Sequence, residues 1–576
     1  MPAAKLERLM YVTPETRIAE YEAKGWWSGI TVDALLLQTM AGTHAPLAVI
    51  DPPNREALDG EAPQRVDWAE LDERVDRLAA ALRDHGLRKD DRIVSQLPNT
   101  IDAVVTFLAA ARLGLILSPV VMQYRQHELT HVFGKVEPAA FLTVPRFQDH
   151  DQAALAAKIC ADRDVKLMLF GAVDSAKAPG AIALDEAMRN ADRAALARYR
   201  SDNPVEAGEV LTICWTSGTE NQPKGVPRNH NHWVLNGDVM VEATAMQSGD
   251  TVLNPFPLVN IGSIGGLVMP WLRCGGTLVL HHPFDVGTFL TQLQQEKVSY
   301  TIAPPAVLGA LLKQPDLLAK FDLSALRTVG SGSAPLSPWL IEGWRDRYGI
   351  EIANIFGSNE GASLFSNQHS VPDAAERARF FPRFGAEGAD WEGRTAQIMK
   401  SRLVDLETEE EITEPGSVGE LRLGGAMVFD GYWRAPELNQ GAFDSEGYYR
   451  TGDLFEIAGP GNRFYQFQGR SKEIIMRGGV NISPAELDDL MVGLPQIREA
   501  ATVGVPDDRL GERIAVAVVP HEGENPSLTD VTARLEEREV AIFKRPEFLV
   551  TVDALPRNAM NKVVRDELRA IVLAKL

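Results

Sequence analysis

The stretch LTICWTSGTENQPKG, residues 211–225, passes without a break from an apolar run into hydroxyls, a glycine and a lysine. Residues 211–215 predict a buried strand. The loop after it, Thr216, Ser217, Gly218 and Thr219 leading to Lys224, can turn backbone N–H groups and hydroxyl oxygens around a polyphosphate while Lys224 adds a point charge. A Walker A loop also has its lysine six residues after a glycine, the spacing from Gly218 to Lys224. Pro223, however, stands where that loop needs its second glycine, and Gly225 replaces its Ser/Thr, so a P-loop NTPase fits poorly. Taken alone, the stretch could also be a polar surface loop.

Working outward, the strand belongs to a repeated rhythm. Leu71, Val75, Leu78, Ala79 and Leu82 recur at helical spacing within 66–86, and a strand at 92–97, a buried helix over Ile101–Leu113 and a strand at 115–121 follow. The rhythm resumes at 210–215, 251–254, 276–281, 299–303, 328–330 and 351–356, which predicts an α/β fold with a large N-terminal domain of helix-covered parallel sheets. From about Gly416, closely spaced strands with tight turns predict a small β-barrel-like module. A helix at 483–492, strands at 500–505 and 513–520 and a helix at 528–540 predict a small, mobile α+β C-terminal domain, attached through 469–472. The domains are therefore expected at 1–471 and 472–576.

At 576 residues, 45% hydrophobic and 24% charged, the chain has globular composition, which excludes a disordered tail, a collagen and a disulfide mini-scaffold. Its 79 acidic and 58 basic side chains give a formal charge of −21, which repels nucleic acid and anionic lipid. The start has no apolar signal-peptide core, no stretch is long enough to insert in a membrane, and Cys160, Cys214 and Cys274 are widely spaced. A cytoplasmic protein with three buried thiols is expected.

Further motifs follow in order. Together with the loop at 216–225 they make the chain, over about residues 65–565, resemble the adenylate-forming (ANL) superfamily, which includes acyl- and aryl-CoA synthetases, non-ribosomal adenylation domains and firefly luciferase. The family's phosphate loop reads roughly TSGTTGxPKG; Glu220 and Asn221 depart from it. FGSNE, 356–360, is similar to an aromatic-Gly-x-Thr-Glu motif with Asn359 in place of Thr. The resemblance implies that Phe356 stacks on adenine, that Gly357, Ser358 and Asn359 border the nucleotide, and that Glu360 and Thr219 help to hold Mg²⁺, a hard ion that takes oxygen ligands. GSGSAP, 330–335, resembles the segment beneath adenine and beside the acyl group, bringing in Ser331, Gly332, Ser333 and Ala334. YRTGD, 449–453, implies that Asp453 grips the ribose, supported by Arg470, although TGD alone is also a good hairpin turn.

PRNAMNK, 556–562, matches the family's terminal pattern except that Asn561 replaces Gly, and implies that Lys562 bridges the acyl carboxylate and the α-phosphate. A carboxylate approaching an anionic phosphate needs such a cation. GRSKEIIMRGGVNISPAE, 469–486, resembles the family's hinge, with Lys472 as the pivot. Rotation about it would withdraw Lys562 and bring up 476–481, where Gly478 and Gly479 leave room for a pantetheine thiol.

Amino-acid adenylation domains carry an Asp for the substrate ammonium where this chain reads PLVN, 257–260, so an amino acid is not expected. Trp233, Asn260, Ile261, Gly262, Ser331 and Gly332 form the candidate acid pocket, suited to an aryl, arylalkyl, alicyclic or medium aliphatic acid, although Trp233 also reads as a core-packing aromatic. The expected activity is that of an AMP-forming acid:CoA ligase, using ATP, Mg²⁺ and coenzyme A, as a monomer or homodimer. The alternatives are an acid adenylase loading a free-standing acyl carrier protein and a catalytically weak nucleotide-binding sensor.

Overall fold

The computed structural model describes residues 12–216, 223–332, 335–470, 473, 475–477, 480–491, 493–507, 510–538, 540, 542–558 and 562–576. Two largely parallel sheets carry most of the chain. The seven-stranded one runs, in space, Lys224–Asn229, Val210–Thr216, Ile116–Pro119, Arg92–Gln96, Ala140–Thr143, Lys166–Leu169, Ile182–Ala183, and only its first pair is antiparallel. The eight-stranded one runs Ser363–Ser366, Glu351–Gly357, Thr328–Gly332, Tyr300–Ile302, Val252–Asn254, Leu278–Leu280, Val49–Ile50, Arg65–Val66, antiparallel only at its two ends.

Helix Trp68–Asp84 starts where the Asp67 carboxylate accepts the Glu70 N–H, and it buries Leu71, Val75, Leu78 and Leu82 on one stripe. It packs on Ile101–Leu113, in which every residue but Asp102 is buried and which stops at left-handed Gly114. A helix this apolar lies inside, its buried Arg112 held by Asp33 at 2.8 Å and Asp72 at 2.6 Å, and each large apolar side chain it hides contributes ~1.5–3 kcal/mol.

The third sheet is antiparallel throughout: Phe380–Pro382, Phe464–Arg470, Tyr449–Ala458, Val418–Gly425, Met399–Val404. It begins well before Gly416. Its first strand has three residues, too short for a period to register in sequence.

The C-terminal sheet runs Val480–Ile482, Ile475–Arg477, Gly511–Pro520, Ile497–Asp507, with Phe548–Thr551 parallel to Gly511–Pro520. Its central strand shows period-two burial. Ala515, Ala517 and Val519 meet Leu568 and Val572 of helix Arg565–Lys575, whereas Ile514, Val516 and Val518 meet Leu487, Val531 and Leu535 of the other two helices. Cys214 and Cys274 are buried, Cys160 is half-buried, and none is paired. Among the described residues no helix is long and apolar enough to cross a membrane.

Candidate active site

Strand Val210–Thr216 returns directly as strand Lys224–Asn229, with Thr216 opposite Lys224. The polar loop therefore caps a hairpin. In a P-loop the lysine would open a helix; here the first helix starts at His230, where the Asn229 side chain accepts the His232 N–H at 2.7 Å. Ser217, Gly218 and Thr219 lie outside the described residues; the base of the hairpin is held by three contacts. The Lys224 ammonium sits 5.2 Å from the centre of the Tyr432 ring. The Gly225 carbonyl accepts the Trp433 N–H at 2.8 Å, and a Cβ on Gly225 would lie 3.0 Å from Ile213 Cγ2. His131 Nε2 is 3.0 Å from the Pro223 carbonyl.

The segment 356–360 leaves the end of strand Glu351–Gly357, which is parallel to Thr328–Gly332. Phe356 is half-buried against Phe455, Phe381 and Phe467, at 5.3, 6.2 and 6.4 Å between ring centres. A tight turn follows, closed by Gly361 N–H to the Ser358 carbonyl and Ser358 N–H to the Ala362 carbonyl. The buried Glu360 carboxylate accepts the Tyr432 hydroxyl at 2.9 Å, and that hydroxyl lies 3.2 Å from the Tyr449 hydroxyl. Glu360, Tyr432 and Lys224 thus form one polar group at the mouth of the hairpin. A carboxylate here is a suitable hard donor for Mg²⁺ between phosphates. Gly361 has φ +85°, and its absent Cβ would sit 1.9 Å from the Met427 carbonyl. Gly361→Ala is expected to displace the Glu360 turn and destabilise the fold by roughly 1–3 kcal/mol or more, read as a lowered Tm; an unchanged Tm would contradict the close approach.

Asp453 and Arg470 face each other across strands Tyr449–Ala458 and Phe464–Arg470, with Nε to Oδ1 at 3.0 Å. Burial pushes the Asp453 carboxyl up to about 6, and Glu473 adds to the rise, against the pull of Arg470 and Lys562. Lys562 arrives from the C-terminal unit on a turn in which the Asn558 side chain accepts its N–H at 3.0 Å and the Asn558 N–H donates to its carbonyl at 2.9 Å. Lys562 is exposed, though neighbouring atoms partly desolvate its ammonium. That desolvation and the nearby Arg470 charge lower its pKa, while Asp453 and Glu473 act to raise it. Lys562 therefore shares one electrostatic field with Asp453 and Arg470. Three residues on, Arg565 holds Glu473 at 2.9 Å, Asp488 at 2.7 Å and the Thr502 carbonyl at 2.7 Å, fixing the base of this turn.

The acid-pocket expectations fare unevenly. Trp233 is fully buried, donates to the Thr212 hydroxyl at 3.0 Å and lies under the Arg228 guanidinium, so it is a core side chain that backs Gly265 instead of lining a cleft. Ser331 is fully buried with its hydroxyl donated to the Ala303 carbonyl at 2.8 Å, and is likewise removed from the pocket. Gly332 is half-buried, but its missing Cβ would lie 1.9 Å from the Ile355 carbonyl, so the neighbouring strand accounts for the glycine. Asn260 is buried and accepts the Ser263 N–H at 3.1 Å, which shapes the turn into the π-helix Ile264–Val268. Ile261 and Gly262, just beside it, are half-buried. Asn359 does not extend a free polar group towards a nucleotide: its amide donates to the Trp215 carbonyl at 3.0 Å, and its oxygen accepts the Ile261 N–H at 2.9 Å. Ser333, Ala334, Lys472, Gly478 and Gly479 lie outside the described residues.

Two residues of this region had no sequence signal. Tyr432 acquires its place only when the Glu360 turn meets the hairpin. Arg228 is fully buried, bonded to the Met427 carbonyl at 2.9 Å and the Asn236 side-chain oxygen at 2.7 Å. Burial pushes its pKa down to about 10, with Glu360 and Asp430 pulling upward. Arg228 runs straight into Asn229, His230, Asn231 and His232, a polar stretch in which nothing marks a buried guanidinium.

Comparison with known proteins gives a consistent result. Residues 48–433 match the family model described as AMP-binding enzyme, and residues 486–562 that of the AMP-binding enzyme C-terminal domain. The chain is 30% identical over 514 residues to indoleacetate–CoA ligase of Aromatoleum aromaticum, covering 89% of this chain and 94% of that protein. It is 31% identical over 571 residues to 2-hydroxy-7-methoxy-5-methyl-1-naphthoate–CoA ligase of Streptomyces carzinostaticus, covering 97% and 96%. ATP-bound MatB from Rhodopseudomonas palustris superposes with a TM-score of 0.76 at 25% identity, over 94% of this chain and 99% of that one.

Proposed function

The chain belongs to the AMP-binding enzyme family, and on that premise we propose that it activates a carboxylic acid with ATP and passes the acyl group to coenzyme A. It is an AMP-forming acid:CoA ligase that uses ATP, Mg²⁺ and CoA. In the first step a carboxylate oxygen bonds to the α-phosphorus as the bond to the pyrophosphate oxygen breaks. In the second, the CoA sulfur bonds to the acyl carbon and AMP leaves with the electron pair of the C–O bond.

Phe356 takes the adenine face. Asp453 accepts from the ribose hydroxyls, kept ionised and oriented by Arg470. Thr216, Ser217, Gly218, Thr219 and Lys224 surround the phosphates. Glu360 and Thr219 would hold Mg²⁺, which when bound supplies positive charge to the phosphate oxygens. Lys562 lowers the repulsion between the acid and the α-phosphate. The units 1–471 and 472–576 then turn about Lys472, replacing Lys562 by Gly478 and Gly479 at the thiol path. The observation that carries this reading is the Asp453–Arg470 pair, Nε to Oδ1 at 3.0 Å, on which the charge of Lys562 from the other unit also bears.

For the acid itself we propose an aryl, arylalkyl, alicyclic or medium aliphatic carboxylic acid, and the aromatic members are the first to test because the two relatives named above are ligases of indoleacetate and a naphthoate. We place the enzyme in the cytoplasm, where the thiols, pushed up by burial to about 11 at Cys160 and about 12 at Cys214 and Cys274, stay reduced and inert. Screening a few dozen acids for CoA-dependent AMP release tests the proposal. Release with a subset of these acids is expected. Acid-dependent pyrophosphate exchange without any CoA-dependent release would point to a carrier protein as acceptor, and no exchange with any acid would overturn the reading.

A further inference from the structure

We infer that Asn359 is a positioning residue that ties the acid pocket to the phosphate-loop strand and so helps to set which acids are accepted. The inference rests on the ligase reading above.

The side chain is a two-ended link. Its Nδ2 donates to the carbonyl of Trp215, the residue just before Thr216 at the tip of strand Val210–Thr216. Its Oδ1 accepts the N–H of Ile261, in the segment that leads from Asn260 into the π-helix Ile264–Val268. The Ile261 side chain in turn lies against the small residues of that helix: a Cβ on Gly265 would be 3.0 Å from Ile261 Cγ1. The backbone of Asn359 is held from behind, because the buried Arg228 guanidinium donates to its carbonyl at 3.5 Å and more strongly to that of Met427 at 2.9 Å. Asn359 thus joins three elements that are far apart in sequence, and the adjacent residue, Glu360, faces Tyr432.

A carboxamide suits this place because it offers a donor and an acceptor on one planar fork. Threonine, which the resembled family has here, puts its donor and its acceptor on one oxygen, so both partners would have to close on a single atom. Aspartate keeps the acceptor for Ile261 but sets an oxygen against the Trp215 carbonyl. The consequence for chemistry is geometric. A shift of the Ile261 segment, which a bulkier or smaller acid would impose, is passed through Asn359 to the strand that carries the phosphate loop, so acid fit and phosphate alignment are not independent.

The test compares Asn359→Ala, Asn359→Thr and Asn359→Asp with the unaltered enzyme in acid-dependent pyrophosphate exchange, using two accepted acids of different bulk. Asn359→Ala and Asn359→Thr are expected to change the ratio of kcat/KM between the two acids by ~fivefold or more. Asn359→Asp should keep that ratio nearer to wild type while raising the KM for ATP, because only the strand side of the link is lost. Thermal unfolding is run on each variant, and if one does not fold, the remaining two carry the comparison. A uniform fall for both acids with KM for ATP unmoved, the mark of a residue that only stabilises the fold, would overturn the inference while leaving the ligase reading intact. Inactivity of the unaltered enzyme with every acid would instead overturn that reading, and this inference with it.

Discussion

Replacing Lys562 by alanine is expected to lower acid-dependent pyrophosphate exchange by ~10²–10³ while changing thioester formation from presynthesised acyl-adenylate by less than ~threefold. The asymmetry follows from the charges. Adenylate formation brings a carboxylate to a phosphate, and Lys562 is the cation that the C-terminal unit contributes beside Asp453 and Arg470. Thioester formation starts from a mixed anhydride whose acyl carbon is already electrophilic, and no second anion has to be forced against the phosphate. Because partial desolvation and Arg470 lower the pKa of the exposed Lys562, the exchange reaction should lose activity on the alkaline side earlier than an ordinary lysine would dictate. Equal loss of both half-reactions in Lys562→Ala would reject its assignment to the first step.

Asp453→Ala should act differently, impairing both half-reactions, with kcat/KM for ATP down by ~10² or more, since ATP and the acyl-adenylate carry the same ribose. The change removes a buried acceptor and leaves Arg470 without its partner. The carboxyl of Asp453, pushed up to about 6 by burial, must be ionised to accept from both hydroxyls, so kcat/KM for ATP in the unaltered enzyme should fall as the pH drops through about 6. Asp453→Asn should remove that acid limb. The stability effect has the opposite sense. A raised folded-state pKa favours the neutral form, so the contribution of Asp453 to the fold is fully present at low pH and is lost as pH rises towards about 6, and Asp453→Asn should therefore cost less stability at pH 8 than at pH 4. If the variant loses the first half-reaction only, the ribose assignment fails.

Much of the layout was legible because it rests on patterns that repeat locally. The helix over Ile101–Leu113 and the strands at 92–97 and 351–356 fall within a residue or so of expectation, as buried continuous runs and period-two segments should. Motif order brought Lys562, Asp453 and Arg470 into one hypothesis; Asp453 and Arg470 pair directly at 3.0 Å, and Lys562 bears on them through its charge. What sequence could not supply was direction. Trp233 reads as a pocket or a core aromatic, and only its bond to Thr212 shows it to be core. Ser331 has a hydroxyl suited to a ligand, but a neighbouring backbone carbonyl takes it. Asn359 reads as an imperfect threonine until both ends of its amide are seen to be engaged. Tyr432 and Arg228 carry no local pattern because their partners lie tens to hundreds of residues away, except for Asn236 beside Arg228.

The Phe356 ring comes from the eight-stranded sheet, whereas Phe381, Phe455 and Phe467 around it come from the antiparallel one, the same sheet that presents Asp453. A nucleotide gripped by base and sugar at once would therefore lie across an oily seam, like a staple over a fold in cloth. Oily seams slacken in the cold, and a bound staple holds them closed by mass action. The refrigerated protein should accordingly outlast its bare counterpart when stored with ATP.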